Sequence, residues 1–194
     1  MSELFSIQLQ NRQQQGRDGV WLDLPTTTEQ VQAALRQIGI SSDNPQGLFI
    51  SGYFAEEEKR FAIPYNMVLA SNVDELNFLA SRLETLSTGE RAELNAALQA
   101  PQSELFSIGR ITDFPENVDY YVHLPDVHGP AQLGDYYLNR SGMVDMPEEW
   151  KGGIDTAQFG RYVAQQEQGV FTEYGYLVKS GDAWQKVHEG QPVP

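Results

Sequence analysis

The chain has 194 residues, is 40% hydrophobic and 11% aromatic, and carries 27 acids against 13 bases for a formal net charge of -14; this supports a packed body and excludes a disordered acidic tail. The absence of cysteine excludes disulfides, thiolate nucleophiles and cysteine-ligated metals. The negative field disfavours direct nucleic-acid or anionic-membrane binding and favours basic partners, and without a long apolar run or a signal pattern the expected location is the cytoplasm.

Leu4–Gln10 alternates apolar and polar residues and reads as a half-buried strand. A polar turn leads to a second strand at Val20–Leu24, so the pair predicts a β-hairpin stopped by Pro25. Thr26 with Glu29 has the form of a capping box, and Val31, Ala34, Leu35 and Ile38 draw the apolar stripe of a helix that Gly39 ends. Leu48–Phe54 reads as a strand, followed by a charged tip at Glu56–Arg60 and a return strand through Phe61–Ile63.

From Pro64 the periodicity becomes helical. Asn72 and Glu75 cap a helix striped by Leu76, Leu79, Ala80 and Leu83, and Thr88 opens a second helix with Leu94, Ala97 and Leu98 inside, ended by Pro101. The two predict a helical hairpin whose acids Asp74, Glu75, Glu84, Glu90 and Glu93 face water.

The hexapeptide SELFSI occurs at Ser2–Ile7 and again at Ser103–Ile108, each followed by an aromatic and a Leu-Pro step. This reads either as a duplicated strand–strand–helix module or as coincidence. Further on, Leu133, Tyr136 and Tyr137 stripe a helix ending near Gly142, and Pro147 with Glu148 and Glu149 suits a helix N-terminus. Asp155 caps another helix, with Phe159, Tyr162, Val163 and Gln166 on its inner face and Gly169 at its end. Trp150 is expected in the core. Val170–Val178 and Ala183–Val187 read as strands joined at Ser180-Gly181-Asp182, and the last six residues, 189–194, are expected to fray. The fold class is therefore α+β, with an N-terminal α+β domain over 1–63, a helical middle over 64–102 and an acidic α+β domain over 103–194.

His123, Asp126 and His128 are the one sequence-local set resembling a metal or hydrolytic site, but the segment brings no second supply of ligands, so no metal or cofactor is expected. Adjacent acids such as Glu148 and Glu149 point apart on a helix and do not form a general acid–base pair. There is no phosphate-binding glycine loop, serine elbow or basic patch, so neither an enzyme nor a direct nucleic-acid binder is expected. The remaining feature is the acidity. From Asp113 to Glu173 the chain holds 11 acids against 3 bases, a local charge of -8, interleaved with aromatics that can fold it. Residues 1–50 hold 5 acids and 3 bases and are nearly neutral.

Several short motifs, in order, carry a family resemblance: Gly19-Val-Trp21-Leu-Asp-Leu-Pro25, Leu48-Phe-Ile-Ser-Gly-Tyr53 and Asn72-Val-Asp-Glu-Leu-Asn-Phe-Leu79. They continue with Leu133-Gly-Asp-Tyr-Tyr137 and Gly142, Pro147-Glu-Glu149, Ile154-Asp155 with Phe159-Gly160-Arg161, Gly169-Val-Phe-Thr172 and Gly175-Tyr176. In these the chain resembles the ArdA antirestriction proteins over nearly its whole length. The resemblance implies an elongated body of three small domains that imitates bent B-form DNA and occupies the DNA-binding groove of type I restriction–modification enzymes. It also implies a homodimer through the region from Ser103 on. The acids expected to form the DNA-like surface are Glu56, Glu57, Glu58, Asp74, Glu75, Glu84, Asp113, Glu116, Asp119, Asp126, Asp135, Asp145, Glu148, Glu149, Asp155, Glu167 and Glu173. The alternative is an acidic adaptor for some other basic protein surface.

Overall fold

The computed structural model describes residues 3–14, 18–41, 45–101 and 103–188. The frayed end expected at 189–194 and parts of two polar turns, 15–17 and 42–44, lie outside the described residues. In chain order the elements are β1 (Phe5–Asn11), β2 (Val20–Leu24), α1 (Thr28–Gln37), β3 (Leu48–Phe54), α2 (Tyr65–Leu69), α3 (Val73–Glu84) and α4 (Thr88–Gln99). There follow α5 (Ile108–Thr112), β4 (Tyr121–Leu124), α6 (Pro130–Asp135) with a π-helical turn at Tyr136–Arg140, α7 (Glu148–Lys151), α8 (Thr156–Glu167), β5 (Val170–Thr172) and β6 (Gly175–Lys179). The class is α+β, with two three-stranded antiparallel sheets ordered β2-β1-β3 and β4-β6-β5 among the described residues.

By its internal contacts the chain forms two compact units, the described residues of Met1–Ser87, Leu105–Glu116 and Lys186–Pro194 in one, and those of Thr88–Glu104 and Asn117–Gln185 in the other. The helical hairpin expected over 72–101 is thereby divided, with α3 in the first unit and α4 in the second.

In the first unit β1 alternates strictly, burying Phe5, Ile7 and Leu9 and turning Ser6, Gln8 and Gln10 outward. The expected hairpin forms, with Ile7 opposite Leu22 and Gln8 opposite Trp21. The capping box of α1 lies one residue later than the sequence suggests, at Thr27 and Gln30, while Thr26 exchanges backbone hydrogen bonds with the Asn77 side chain on α3 (2.7 and 3.1 Å). That reciprocal amide pair occupies Thr26 and moves the helix start to its neighbour. Asn72 caps α3 by accepting the Glu75 N–H at 2.8 Å, and Leu76, Leu79, Ala80 and Leu83 are fully buried, as their spacing predicts. Phe61 and Ile63 are buried as expected but do not form a strand; their backbone leaves a 3-10 turn at Glu57–Lys59 and turns toward α2 without pairing in the sheet.

The second copy of SELFSI does not repeat the first. Ser103–Ile108 forms no strand; Ser107 caps α5 and Ile108 is its first residue. Leu4 and Phe5 in the first copy are held by pairing with β2, whereas Leu105 and Phe106 lie outside the strands of the two described sheets.

The second unit is built on a close approach of α6 and α8. A Cβ on Gly134 would collide with the Thr156 carbonyl and one on Gly160 with the Pro130 carbonyl, so only glycine fits at both positions. This contact sets the rotation of α8. Gly160 and Ala164 face inward, whereas Tyr162, expected on the inner face, is 60% exposed and Gln166 is exposed. Trp150, expected in the core, is 66% exposed on the single-turn α7. Asp155 caps α8 as predicted, accepting the Gln158 N–H at 3.0 Å. The left-handed residue at its end is Gln168 (φ 56) and not Gly169, where the Tyr176 ring leaves no room for a side chain.

Val170–Val178 is not one strand. It folds back at Glu173-Tyr174, where the Thr172 hydroxyl accepts the Tyr174 N–H (3.1 Å) and donates to the Gly175 carbonyl (2.9 Å), with Gly175 at φ 119. The hairpin expected at Ser180-Gly181-Asp182 does not form, and Ala183–Val187 is irregular chain, tied by Gln185 to both polar atoms of the Asn117 side chain (2.7 and 3.0 Å).

Gly160→Ala is expected to lower stability by about 1–3 kcal/mol through overpacking against the Pro130 carbonyl, and Trp150→Ala by less than about 0.5 kcal/mol as a surface change. Denaturant titration measures both, and parent-like stability of Gly160→Ala would show that the helices do not need the contact.

Candidate functional site

The candidate acids fall into three physical groups. In the first unit Glu56 and Glu57 project from the turn after β3, with Glu56 paired to Lys59 at 3.1 Å; the side chain of Glu58 lies outside the described residues. Asp74 and Glu75 occupy the first turn of α3, where the positive end of the helix dipole favours them. Glu84 is half-buried at the end of the same helix, and Glu116 is exposed and accepts a hydrogen bond from Arg82.

In the second unit Asp119, Asp126, Asp145, Glu148, Glu149, Asp155 and Glu173 are exposed. Glu148 pairs with Lys151 at 2.6 Å and Glu173 accepts from Gln99. Asp135 is half-buried, paired with Arg140 at 3.1 Å and bonded by Asn139 at 2.8 Å. Exposed pairs of this kind contribute about 0–1 kcal/mol each, so they dress the surface more than they hold the fold.

Two expected surface acids are internal. Asp113 is 0% exposed and accepts the N–H groups of Val187 (3.2 Å) and His188 (2.7 Å), with the His188 Nδ1 at 3.0 Å. Its carboxylate anchors the chain after Gln185 within the first unit. Glu167 is half-buried and takes the hydroxyl of Tyr137 on one oxygen (2.5 Å) and that of Tyr176 on the other (3.0 Å). Burial, together with the neighbouring carboxylate, holds both phenols protonated well above the usual tyrosine range. Charge alone places these two acids at the surface, since their near neighbours in sequence do not tell a bonded carboxylate from a solvated one.

Glu93, expected to face water, does not. It is largely buried on α4, its Oε1 has no hydrogen-bond partner, and desolvation with the nearby charges of Asp119 and Glu90 pushes its pKa up to about 8. The signal was present: Glu93 shares a face with Ala96 and Ala97, both fully buried.

The histidine set does not assemble. His123 Nε2 donates to the Tyr174 carbonyl at 2.7 Å, while Asp126 and His128 are exposed, and among the described residues no group of three His, Cys, Asp or Glu side chains is placed to hold a metal. Among the described residues no helix is long and apolar enough to cross a membrane.

The family model described as antirestriction protein (ArdA) matches residues 15–178, spanning the chain from before β2 to the last residues of β6. The chain belongs to the ArdA family. Its function is accordingly antirestriction. A comparison with curated proteins finds no match. The ArdA match covers all the acids named above, the interior Asp113 and Glu167 among them.

Glu93 gives a pH test of the interior. Its folded pKa of about 8 lies above its ordinary 4.5, so the folded chain holds a proton that the unfolded chain releases in this window. The associated stability is full below about pH 4.5 and is lost as pH rises through 8. Glu93→Gln is expected to match the parent near pH 5 and to exceed it in melting temperature near pH 8.5; a difference independent of pH would contradict the assignment.

Proposed function

We propose that the chain blocks restriction by offering carboxylates in place of DNA phosphates to the DNA-binding groove of a type I restriction–modification enzyme. The observation that supports this reading is the run from Met143 to Asp155, where Asp145, Glu148, Glu149 and Asp155 are all exposed and Lys151 is the single base. A duplex presents one negative charge per ~1.7 Å of axis, and an exposed run of carboxylates offers charge of the same sign to a groove lined with Lys and Arg. The proposed active form is an elongated homodimer joined through the region from Ser103 on. No step of this function calls for catalysis or a cofactor.

Binding to a type I methyltransferase should weaken steeply with salt, because both ligands compete through charge. Neutralising Asp135, Asp145, Glu148 and Glu149 together should abolish inhibition, while each single change costs about 0–1 kcal/mol. Salt-independent binding, or full loss from one Asp→Asn change, would sink the reading. Binding to an unrelated basic protein with none to the methyltransferase would favour the adaptor.

A further inference from the structure

The outer face of the first sheet is unlike the acidic surface described above. Antiparallel register places Asp23, Ser6 and Phe54 in one row across the strands, and Trp21, Gln8 and Gly52 in the next. Because Gly52 has no side chain, the Trp21 ring lies across the sheet: a Cβ on Gly52 would sit 3.1 Å from Trp21 Cη2. Trp21 and Phe54 remain 50% and 55% exposed. The Ser6 hydroxyl donates to Asp23 at 2.6 Å and keeps that carboxylate on the same face. Glu3 lines two hollows, one with Trp21 and Asp23, the other with Phe54, Glu56 and Lys59. At the opposite end of this face Phe49, opposite Gln10, is covered by the Arg12 guanidinium at 5.3 Å from its ring centroid.

We infer that the Trp21 face is a docking surface for arginine side chains of a basic protein partner. Resting on the proposed function, it identifies how the first sheet engages that partner. A guanidinium is planar and weakly hydrated, stacks on an indole, and pairs with a carboxylate at its edge. Trp21 supplies the ring, and Asp23 and Glu3, with Glu56 beyond Phe54, supply the negative rim. Between them the two hollows hold three carboxylates, Glu3, Asp23 and Glu56, and one ammonium, Lys59, which is paired with Glu56. The Arg12–Phe49 contact shows the same pairing of ring and guanidinium made within the chain. A DNA phosphate or an anionic membrane would meet this rim with like charge, which leaves a basic protein surface as the occupant.

The test is a titration of the full chain with a hexa-arginine peptide at about 0.15 M salt, following the indole N–H signals of the three tryptophans. The Trp21 signal, assigned by its loss in Trp21→Phe, should shift saturably. Trp21→Ala should weaken peptide binding about fivefold, and Trp21→Phe, which keeps a ring over Gly52, should weaken it less. Hexa-lysine should bind more weakly than hexa-arginine. An unmoved Trp21 signal, unchanged affinity in Trp21→Ala, or equal loss in both variants at parent-like melting temperature would overturn the inference. Neutralising Asp135, Asp145, Glu148 and Glu149 should leave the Trp21 shift in place, so failure of the DNA-mimic reading is registered in the methyltransferase assay and failure of this one in the peptide titration.

Discussion

A carboxylate in a folded chain must reach water, find donors, or keep its proton, and the architecture of this strongly acidic protein follows from how that constraint is met residue by residue. Asp113 finds two backbone N–H groups and an imidazole, and Glu167 finds two tyrosine hydroxyls. Glu93 finds no partner for its buried oxygen and holds its proton instead. The remaining described candidates reach water at least in part, on helix first turns, at turn tips and along the segment leading into α8. The interior acids are thereby fixtures of the fold, and the others lie at its surface.

Rigidity is the second requirement, since repelling charges spread unless the backbone beneath them is fixed. The α6–α8 contact through Gly134 and Gly160 provides it in the second unit: backbone meets backbone, and the rotation of α8 is set without a large side chain. That rotation turns Tyr162 outward and aims Glu167 at its tyrosines. In the first unit the Asn77–Thr26 amide pair and the Asp113 anchor do comparable work.

Much of the fold was legible in the sequence because helical periodicity and side-chain caps are local signals. The stripe of α3, the Asn72 and Asp155 caps and the first hairpin all appear where their residues predict them. What was not legible depended on partners distant in sequence. The same hexapeptide is a strand lead-in beside β2 and a helix lead-in before α5. The turn at Glu173-Tyr174 is held by a threonine hydroxyl and does not carry an Asn-Gly or Asp-Gly signal, and the irregular run 183–187 resembles a strand only in composition. For the candidate site, charge density located the acidic segment but could not separate Asp113 and Glu167 from their exposed neighbours, because that distinction lies in donors 74 and 30 residues away.

Under the proposed mimicry this surface and DNA occupy one groove. An equilibrium competition decides it most directly: labelled duplex bound to a type I methyltransferase, titrated with the full chain at several DNA concentrations. Mutual exclusion predicts complete displacement, with the apparent dissociation constant of the protein rising in proportion to the DNA concentration. A plateau of DNA still bound at saturating protein, meaning a ternary complex, would contradict the account.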